Sequence, residues 1–500
     1  MKLNVIWILV EGMRNFYTED GYSRAKSIEL IANEGIEFAD IITSAPSTLM
    51  SFSAMFSGMP AYYQAANYHE GVFDKRKTLI PILEENGYDI KSVLWHEYII
   101  KLFGCLKPVG LPSDKKIPET PGNPKNGNWW PADIINQAAL KLLDNELKEP
   151  FFFFLAYPPT GRLNTDQDIG DFLSTLKTMD LYNHSLIIIS SDHGLFYPIP
   201  PREIWEKKMH DKWVDESSIH PTFIIRHPSF SIKRKVDQVT STIDILPTIL
   251  DFLDIDFTRY KTLSVKGKSL RPLIEEKEIE GERMVRVDTR YLFQPERITV
   301  VRGNRFKYII CHDEKKEGFF DIKNDPEEKN DLINSSDNSL QDVIQRYREE
   351  FKSSEDEAIR FIKESAQREI IQKCQDVNLS DKRLEVIIFR SSRIFHLEFI
   401  LEIIKDLSPK IDVFIQQNIS KDFKNSQFVR GFIDWNKEDF NYAKFKEFYP
   451  DLMDKKYDIV IVPVNDLKEG YEEVFKIARC LSRGSIISID YNMGVRKEEK

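Results

Sequence analysis

The sequence predicts an α/β protein in two parts: a mostly parallel central sheet flanked by helices, then a smaller C-terminal α/β domain. Three observations predict it. Apolar runs of strand length alternate with helix-compatible segments through the first half of the chain. A long charged stretch, Ser335 to Lys373, then contains no glycine or proline. Beyond it the alternation resumes. Strands separated by helices are joined by crossovers, which set parallel strands side by side and cover both faces.

Taken in order, Leu3 to Val10 is almost uninterrupted apolar sequence with β-branched and aromatic members, the pattern of a buried strand. A helical stretch follows around Ser23 to Asn33, then a largely apolar run from Ile36 to Ile42. Helix-like Leu79 to Asn86 precedes strand-like Ile90 to Trp95. Ala132 to Glu146 precedes Phe151 to Ala156, and Gly170 to Met179 precedes Leu186 to Ser190. Ser335 to Lys373 reads as a helical connector, because alternating charges mark a solvated face. Leu384 to Phe389, Ile411 to Ile415 and Tyr457 to Pro463 read as strands, followed by a helix, Tyr471 to Leu481, and a last strand, Ser485 to Asp490. The expected boundaries are therefore 1–335, a connector 336–380, and a small Rossmann-like unit 381–500. That unit has no G-x-G-x-x-G loop, so nucleotide binding there has no support.

Composition narrows the function. Hydrophobic residues at 41% and aromatics at 12% exclude a disordered chain, and 500 residues exceed one ordinary core. Seventy basic against 80 acidic residues leave a net charge of −10, without the basic footprint of a nucleic-acid binder. No apolar run reaches the roughly 18 residues of a membrane span. The stretch Val5 to Val10, ended by Glu11, is too short for a secretory signal. Cys105, Cys311, Cys374 and Cys480 lie far apart with no C-x-x-C pair, so the expected location is cytoplasmic. The oligomeric state is left open.

In parallel sheets chemistry collects at the carboxyl ends of strands. Glu11 follows the first strand, and Asp192 and His193 follow Leu186 to Ser190. Thr48 ends Ser44-Ala45-Pro46-Ser47-Thr48, ahead of a helix-compatible run closing at Ser57-Gly58. Two carboxylates, an imidazole and a hydroxyl make a divalent-metal site, and mixed nitrogen and oxygen donors put Zn²⁺ or Mn²⁺ ahead of Ca²⁺ or Mg²⁺. One such ion would lower the hydroxyl pKa and neutralise an incoming phosphate or sulfate. A helix start at Thr48 would add backbone N–H groups for the same anion. Each residue alone has a plainer reading: Thr48 or Ser47 as an N-cap, Asp192-His193-Gly194 as a turn, Glu11 as a solvated loop residue.

Several ordered segments carry a family resemblance: Asn4 to Arg14, Ile28 to Ala39, Thr78 to Tyr88, Ser190 to Gly194, Glu216 to Pro228, Ile243 to Ile255 and Arg302 to Tyr308. From about residue 3 to about 335 the chain resembles the sulfatase family of the alkaline phosphatase superfamily. The resemblance implies an alkaline-phosphatase-like sandwich and chemistry on phosphate or sulfate esters. The departures are specific. Sulfatases carry Cys or Ser, converted to formylglycine, ten residues before the glycine matched by Gly58; here that position is Thr48, followed by Leu49, Met50, Ser51 and Phe52. Threonine cannot become formylglycine, and the Pro and Arg that should follow are missing. Glu11-Gly12 replaces paired aspartates, and Leu94 replaces the lysine of Lys-Trp-His.

A Glu, Thr, Asp, His set resembles instead the phosphoethanolamine transferases and lipoteichoic acid synthases of the same superfamily, in which a metal-bound threonine attacks a phosphodiester. His96 keeps the histidine of Lys-Trp-His and could contact the substrate. Arg14, His210 and His220 are further substrate-binding candidates, and Trp129-Trp130 could line a cleft. The resulting expectation is a metal-dependent hydrolase or transferase that cleaves or transfers a phosphate ester or diester, small-molecule or glycan-linked, through a Thr48 covalent intermediate, with His96 in a catalytic role. Two alternatives stay open: a sulfuric ester hydrolase, and a catalytically inactive binding scaffold.

Overall fold

The computed structural model describes residues 2–13, 26–63, 78–95, 130–145, 147–158, 165–194, 214–230, 232–260, 264–277, 281–290, 292, 297–375, 377, 384–389, 394–405, 410–416, 429–435, 440–464, 471–490 and 495–499. These fall into two compact units. The first comprises Met1–Tyr62, Gly71–Arg290 and Pro295–Lys352; the second is formed by Tyr63–Glu70, Tyr291–Gln294 and Ser353–Lys500. The division falls inside one helix, Asn338–Lys373.

In the first unit the strands are β1 (Asn4–Val10), β2 (Ile36–Phe38), β3 (Ile41–Ile42), β4 (Asp89–Leu94), β5 (Phe151–Tyr157), β6 (Ser185–Ser190), β7 (Phe223–Arg226), β8 (Arg234–Val236) and β9 (Thr240–Ser241). Seven of them form one sheet in the order β4-β5-β1-β6-β7-β2-β8. The four strands β4, β5, β1 and β6 are parallel, and β7 runs against both β6 and β2. Every residue of β1, β5 and β6 is buried, as continuous apolar runs require. Three helices come first in the chain: α1 (Lys26–Asn33), α2 (Thr48–Ser57) and α3 (Leu79–Glu85). Later helices, Ala132–Asn145 and Thr165–Thr178, complete the crossovers on either side of β5.

The run Ile36 to Ile42 does not form one element. A turn at Ala39-Asp40 splits it, sending β2 into the large sheet and β3 into a separate pair with β9. A four-stranded antiparallel sheet, β10 (Val285–Asp288), β11 (Ile298–Arg302), β12 (Phe306–Cys311) and β13 (Lys316–Asp321), completes the unit. Its strands were not expected from sequence. They mix charged with apolar residues and have no continuous apolar run to betray them.

The second unit has β14 (Glu385–Phe389), β15 (Lys410–Gln416), β16 (Gly431–Trp435), β17 (Tyr457–Pro463), β18 (Ser482–Ile489) and β19 (Val495–Glu498). They lie in the order β16-β15-β14-β17-β18-β19, parallel except for β19. That is the doubly wound arrangement, with its switch point between β14 and β17. It has its own core, including Ile387, Phe414, Trp435, Tyr457, Val460 and Ile477. Among the described residues no helix is long and apolar enough to cross a membrane.

Candidate active site

The carboxyl ends of β5, β1 and β6 stop in register, Val10 opposite Tyr157 and Leu9 opposite Ser190. Glu11 and the segment Ser191–Gly194 therefore leave the sheet side by side. The Glu11 N–H donates to the Tyr157 carbonyl at 3.1 Å, continuing the ladder by one rung. Gly12 turns the chain at φ +63°, a conformation that costs glycine least, and its N–H then donates to Asp192 Oδ1 at 3.1 Å. The next N–H, of Met13, donates to Ser191 Oγ at 2.8 Å.

Helix α2 delivers Thr48. All its residues from Met50 to Ser57 are buried, with Phe56 stacked on Trp7 of β1 at 4.8 Å and edge-on to Phe154 of β5 at 5.1 Å. The helix ends at Gly58, left-handed at φ +65°, whose N–H caps the Ala54 carbonyl. Its start is left differently. Ser47 occupies the N-cap position with extended backbone but makes no side-chain capping bond. The Thr48 hydroxyl is turned to His193, with Oγ1 3.2 Å from Nε2. Neither hydroxyl is therefore used as a cap.

His193 is oriented from its other side. Nδ1 lies 2.7 Å from the Gly194 carbonyl, which can only accept, so Nδ1 carries the proton and the Nε2 lone pair faces Thr48. Asp192 is fully buried. Its Oδ1 accepts from Gly12, whereas Oδ2 is buried without a hydrogen bond, 3.3 Å from His193 Nε2. A buried carboxylate oxygen in that state is costly unless a cation faces it. The separations of 3.2 and 3.3 Å also match the spacing of about 3.3 Å between neighbouring ligands around a tetrahedral ion with bonds of about 2.05 Å. Thr48, Asp192 and His193 thus fit a divalent cation. Among the described residues no group of three or more His, Cys, Asp and Glu side chains is spaced to hold one, so the structure does not gather Glu11 with Asp192 and His193 as the sequence led one to expect.

Arg14, His96, His210 and Trp129 lie outside the described residues. Trp130 is buried, its N–H on the Trp95 carbonyl at 2.8 Å, as packing rather than cleft lining would have it. His220 belongs to a buried group of charges. Its Nε2 is 2.5 Å from the Ala39 carbonyl and 3.8 Å from Asp40, and its Nδ1 is 3.9 Å from Glu216. Burial pushes its imidazole below the ordinary value, against the pull of Glu216 and Asp40.

That group escaped the sequence reading. Arg302, at the end of β11, reaches Glu216 at 3.1 Å and Asp40 at 3.0 Å, and buried Lys307 reaches Glu216 at 3.4 Å and Glu328 at 2.6 Å. Burial alone would raise the Glu216 carboxyl, but the Arg302 and Lys307 charges overcome it and hold the pKa at about 2. The signal was present in the segment Arg302 to Tyr308, quoted above only as a family match. Asp244 is likewise structural. It accepts the N–H groups of Ser241 and Lys268, each at 2.8 Å, and pairs with Arg283 at 2.5 Å.

Comparison with known proteins bears on the family and the fold. Residues 3–160 match the sulfatase family model, and residues 205–357 match the model for the C-terminal part of N-sulphoglucosamine sulphohydrolase. An arylsulfatase of Clostridium perfringens is 30% identical over 214 residues, covering 41% of this chain and 38% of that protein. Human N-sulphoglucosamine sulphohydrolase is 29% identical over 124 residues, covering 24% and 23%. The chain thus spans well under half the length of these relatives. Among solved structures, a 2-O GAG sulfatase superposes with a TM-score of 0.55 at 18% identity, covering 72% of this chain and 93% of that one. A phosphonate monoester hydrolase of Agrobacterium radiobacter superposes with a TM-score of 0.52 at 16% identity, covering 71% and 96%. At such identities the superpositions speak to the fold, which serves both chemistries. With both family models matched in order between residues 3 and 357, the chain belongs to the sulfatase family of the alkaline phosphatase superfamily.

Proposed function

We propose that the chain is an ester hydrolase of the sulfatase type, acting on a sulfate ester carried by a sugar or other small organic molecule. The relatives support the ester class, since they are arylsulfatases and an N-sulphoglucosamine sulphohydrolase. The observation that carries the mechanism is the Thr48 hydroxyl, 3.2 Å from His193 Nε2 at a helix start whose N-cap residue, Ser47, makes no side-chain capping bond. The free N–H groups and positive end of α2 hold the anionic group against Thr48 Oγ1. Thr48 Oγ1 gives up its proton and attacks sulfur, the S–O bond to the alcohol breaks and the alcohol leaves with a proton, and water then displaces the sulfo group as sulfate, restoring the threonine hydroxyl. One divalent ion held by Asp192, His193 and Thr48 would supply positive charge against the ester oxygens and ease loss of the hydroxyl proton.

A second reading replaces the sulfate ester with a phosphate ester or diester. The threonine itself favours it, because a hydroxyl that cannot become an aldehyde hydrate must attack directly and be freed directly, the course that a phosphothreonine intermediate follows. Turnover of chromogenic sulfate, phosphomonoester and phosphodiester substrates decides between the two. Thr48→Ala should lower turnover about a thousandfold or more. Thr48→Ser, which preserves the oxygen, should retain part of it. Metal analysis should find one divalent ion per chain, absent when Asp192→Ala and His193→Ala are combined. If wild type cleaves none of these esters, the enzymatic reading falls and the binding scaffold replaces it.

A further inference from the structure

We infer that Thr43 and Ser51 are positioning residues that fix the distance between the nucleophile helix and the Asp192–His193 loop. The inference rests on the reading of Thr48 given above and adds what holds it in place. Both hydroxyls are fully buried. Thr43 Oγ1 donates to the Asp192 carbonyl at 2.7 Å, and Ser51 Oγ donates to the same oxygen. A carbonyl oxygen has two lone pairs, so it accepts both. The two hydroxyl oxygens sit 2.9 Å apart, within hydrogen-bond reach of each other with either able to donate, and Thr43 Oγ1 also lies 2.9 Å from the Ala45 carbonyl.

The location of this clamp gives it its effect. Ser51 is three residues beyond Thr48 and shares its face of α2. One turn of that face is tied to the backbone of Asp192, while the turn before it presents Thr48 to the imidazole of His193, the next residue along. Thr43 ties the other end of the segment. Its N–H donates to the Ile219 carbonyl at 2.9 Å, and the short loop to Ser47 starts from it. The 191–194 loop has further tethers, from Ser191 N–H to Thr222 and from Gly194 N–H to Ser218, but those lead away from α2. Among the described residues the hydroxyl pair is therefore the direct tether from Thr43 and α2 to the Asp192 backbone. It also accounts for Ser51 as something other than a nucleophile, since its proton is engaged and its oxygen is closed to solvent.

The experiment compares Thr43→Val, Ser51→Ala and Thr43→Ser in the full chain, by steady-state kinetics on whichever ester wild type turns over and by crystal structures. Misplacing a reacting atom by about 1 Å costs on the order of a hundredfold. Thr43→Val and Ser51→Ala should lose about that much in kcat with KM little changed, and Thr43→Ser, which restores the hydroxyl, should recover most of it. In the crystal structures Thr48 Oγ1 should draw away from His193 Nε2 in the first two variants and not in the third. Wild-type kcat in both Thr43→Val and Ser51→Ala, or an unchanged separation in their structures, overturns the clamp. So does a Thr43→Ser variant as impaired as Thr43→Val. If wild type cleaves no ester, that outcome counts against the function alone, and the measured separations still decide the clamp.

Discussion

At Thr48 and Ser47 two hydroxyls compete for one structural task, and neither performs it. A serine at an N-cap normally accepts from the helix's first N–H groups, a bond worth about 1 kcal/mol. Leaving it unmade keeps those N–H groups available. The same reasoning assigns Asp244 to the scaffold, where two N–H groups and Arg283 use up its carboxylate. Asp244→Ala should therefore cost about 3–5 kcal/mol in denaturant unfolding, because it strands a guanidinium and two donors. A loss under about 1 kcal/mol would contradict that role. The placement of Glu11, Thr48, Asp192 and His193 at strand and helix ends was legible in sequence because each sits at the edge of an apolar or helical run, where period and punctuation are sharp. The partnership of Asp40, Glu216, Arg302, Lys307 and Glu328 was not, since its members come from distant segments and no local pattern links them.

Elements were legible where packing is continuous. β1, β5 and β6 are buried on both faces and read as unbroken apolar runs, and β17 was placed residue for residue at Tyr457 to Pro463. The turn at Ala39-Asp40 was invisible because both halves of Ile36 to Ile42 are apolar and only pairing partners separate them. Helix α2 depends on its C-terminal stop as much as on its aromatic face. Gly58 is left-handed, and an added Cβ would meet Val265 Cγ1 at 3.0 Å. Gly58→Ala should thus destabilise the first unit by about 1–2 kcal/mol, read from its unfolding midpoint. A variant as stable as wild type would mean that the helix end tolerates the strain or re-forms elsewhere.

For the whole molecule, each unit has an apolar core of its own among the described residues, the first including Val5, Phe56 and Leu155 and the second Ile387, Phe414 and Trp435. Calorimetry should accordingly resolve two unfolding transitions, and a single cooperative one would contradict the division. Acid stability follows from the buried charges. Glu216 titrates at about 2 in the fold against an ordinary 4.5, so its contribution is complete above about pH 4.5 and is lost as pH falls toward 2. Its size is on the order of 3 kcal/mol. Asp40 and Glu328, raised by burial, act in the opposite sense and gain stability as they protonate. Glu216→Gln should flatten the loss of stability between pH 4.5 and 2, whereas an unchanged acid limb would place that dependence on other groups. The account as a whole turns on one covalent event at one oxygen. Its most direct measurement is rapid quenching of wild type during turnover, followed by peptide mass spectrometry. The account predicts one sulfo or phosphoryl group on the peptide containing Thr48, localised to that residue and absent in Thr48→Ala; the same group found on Ser47 or Ser51 instead would contradict it.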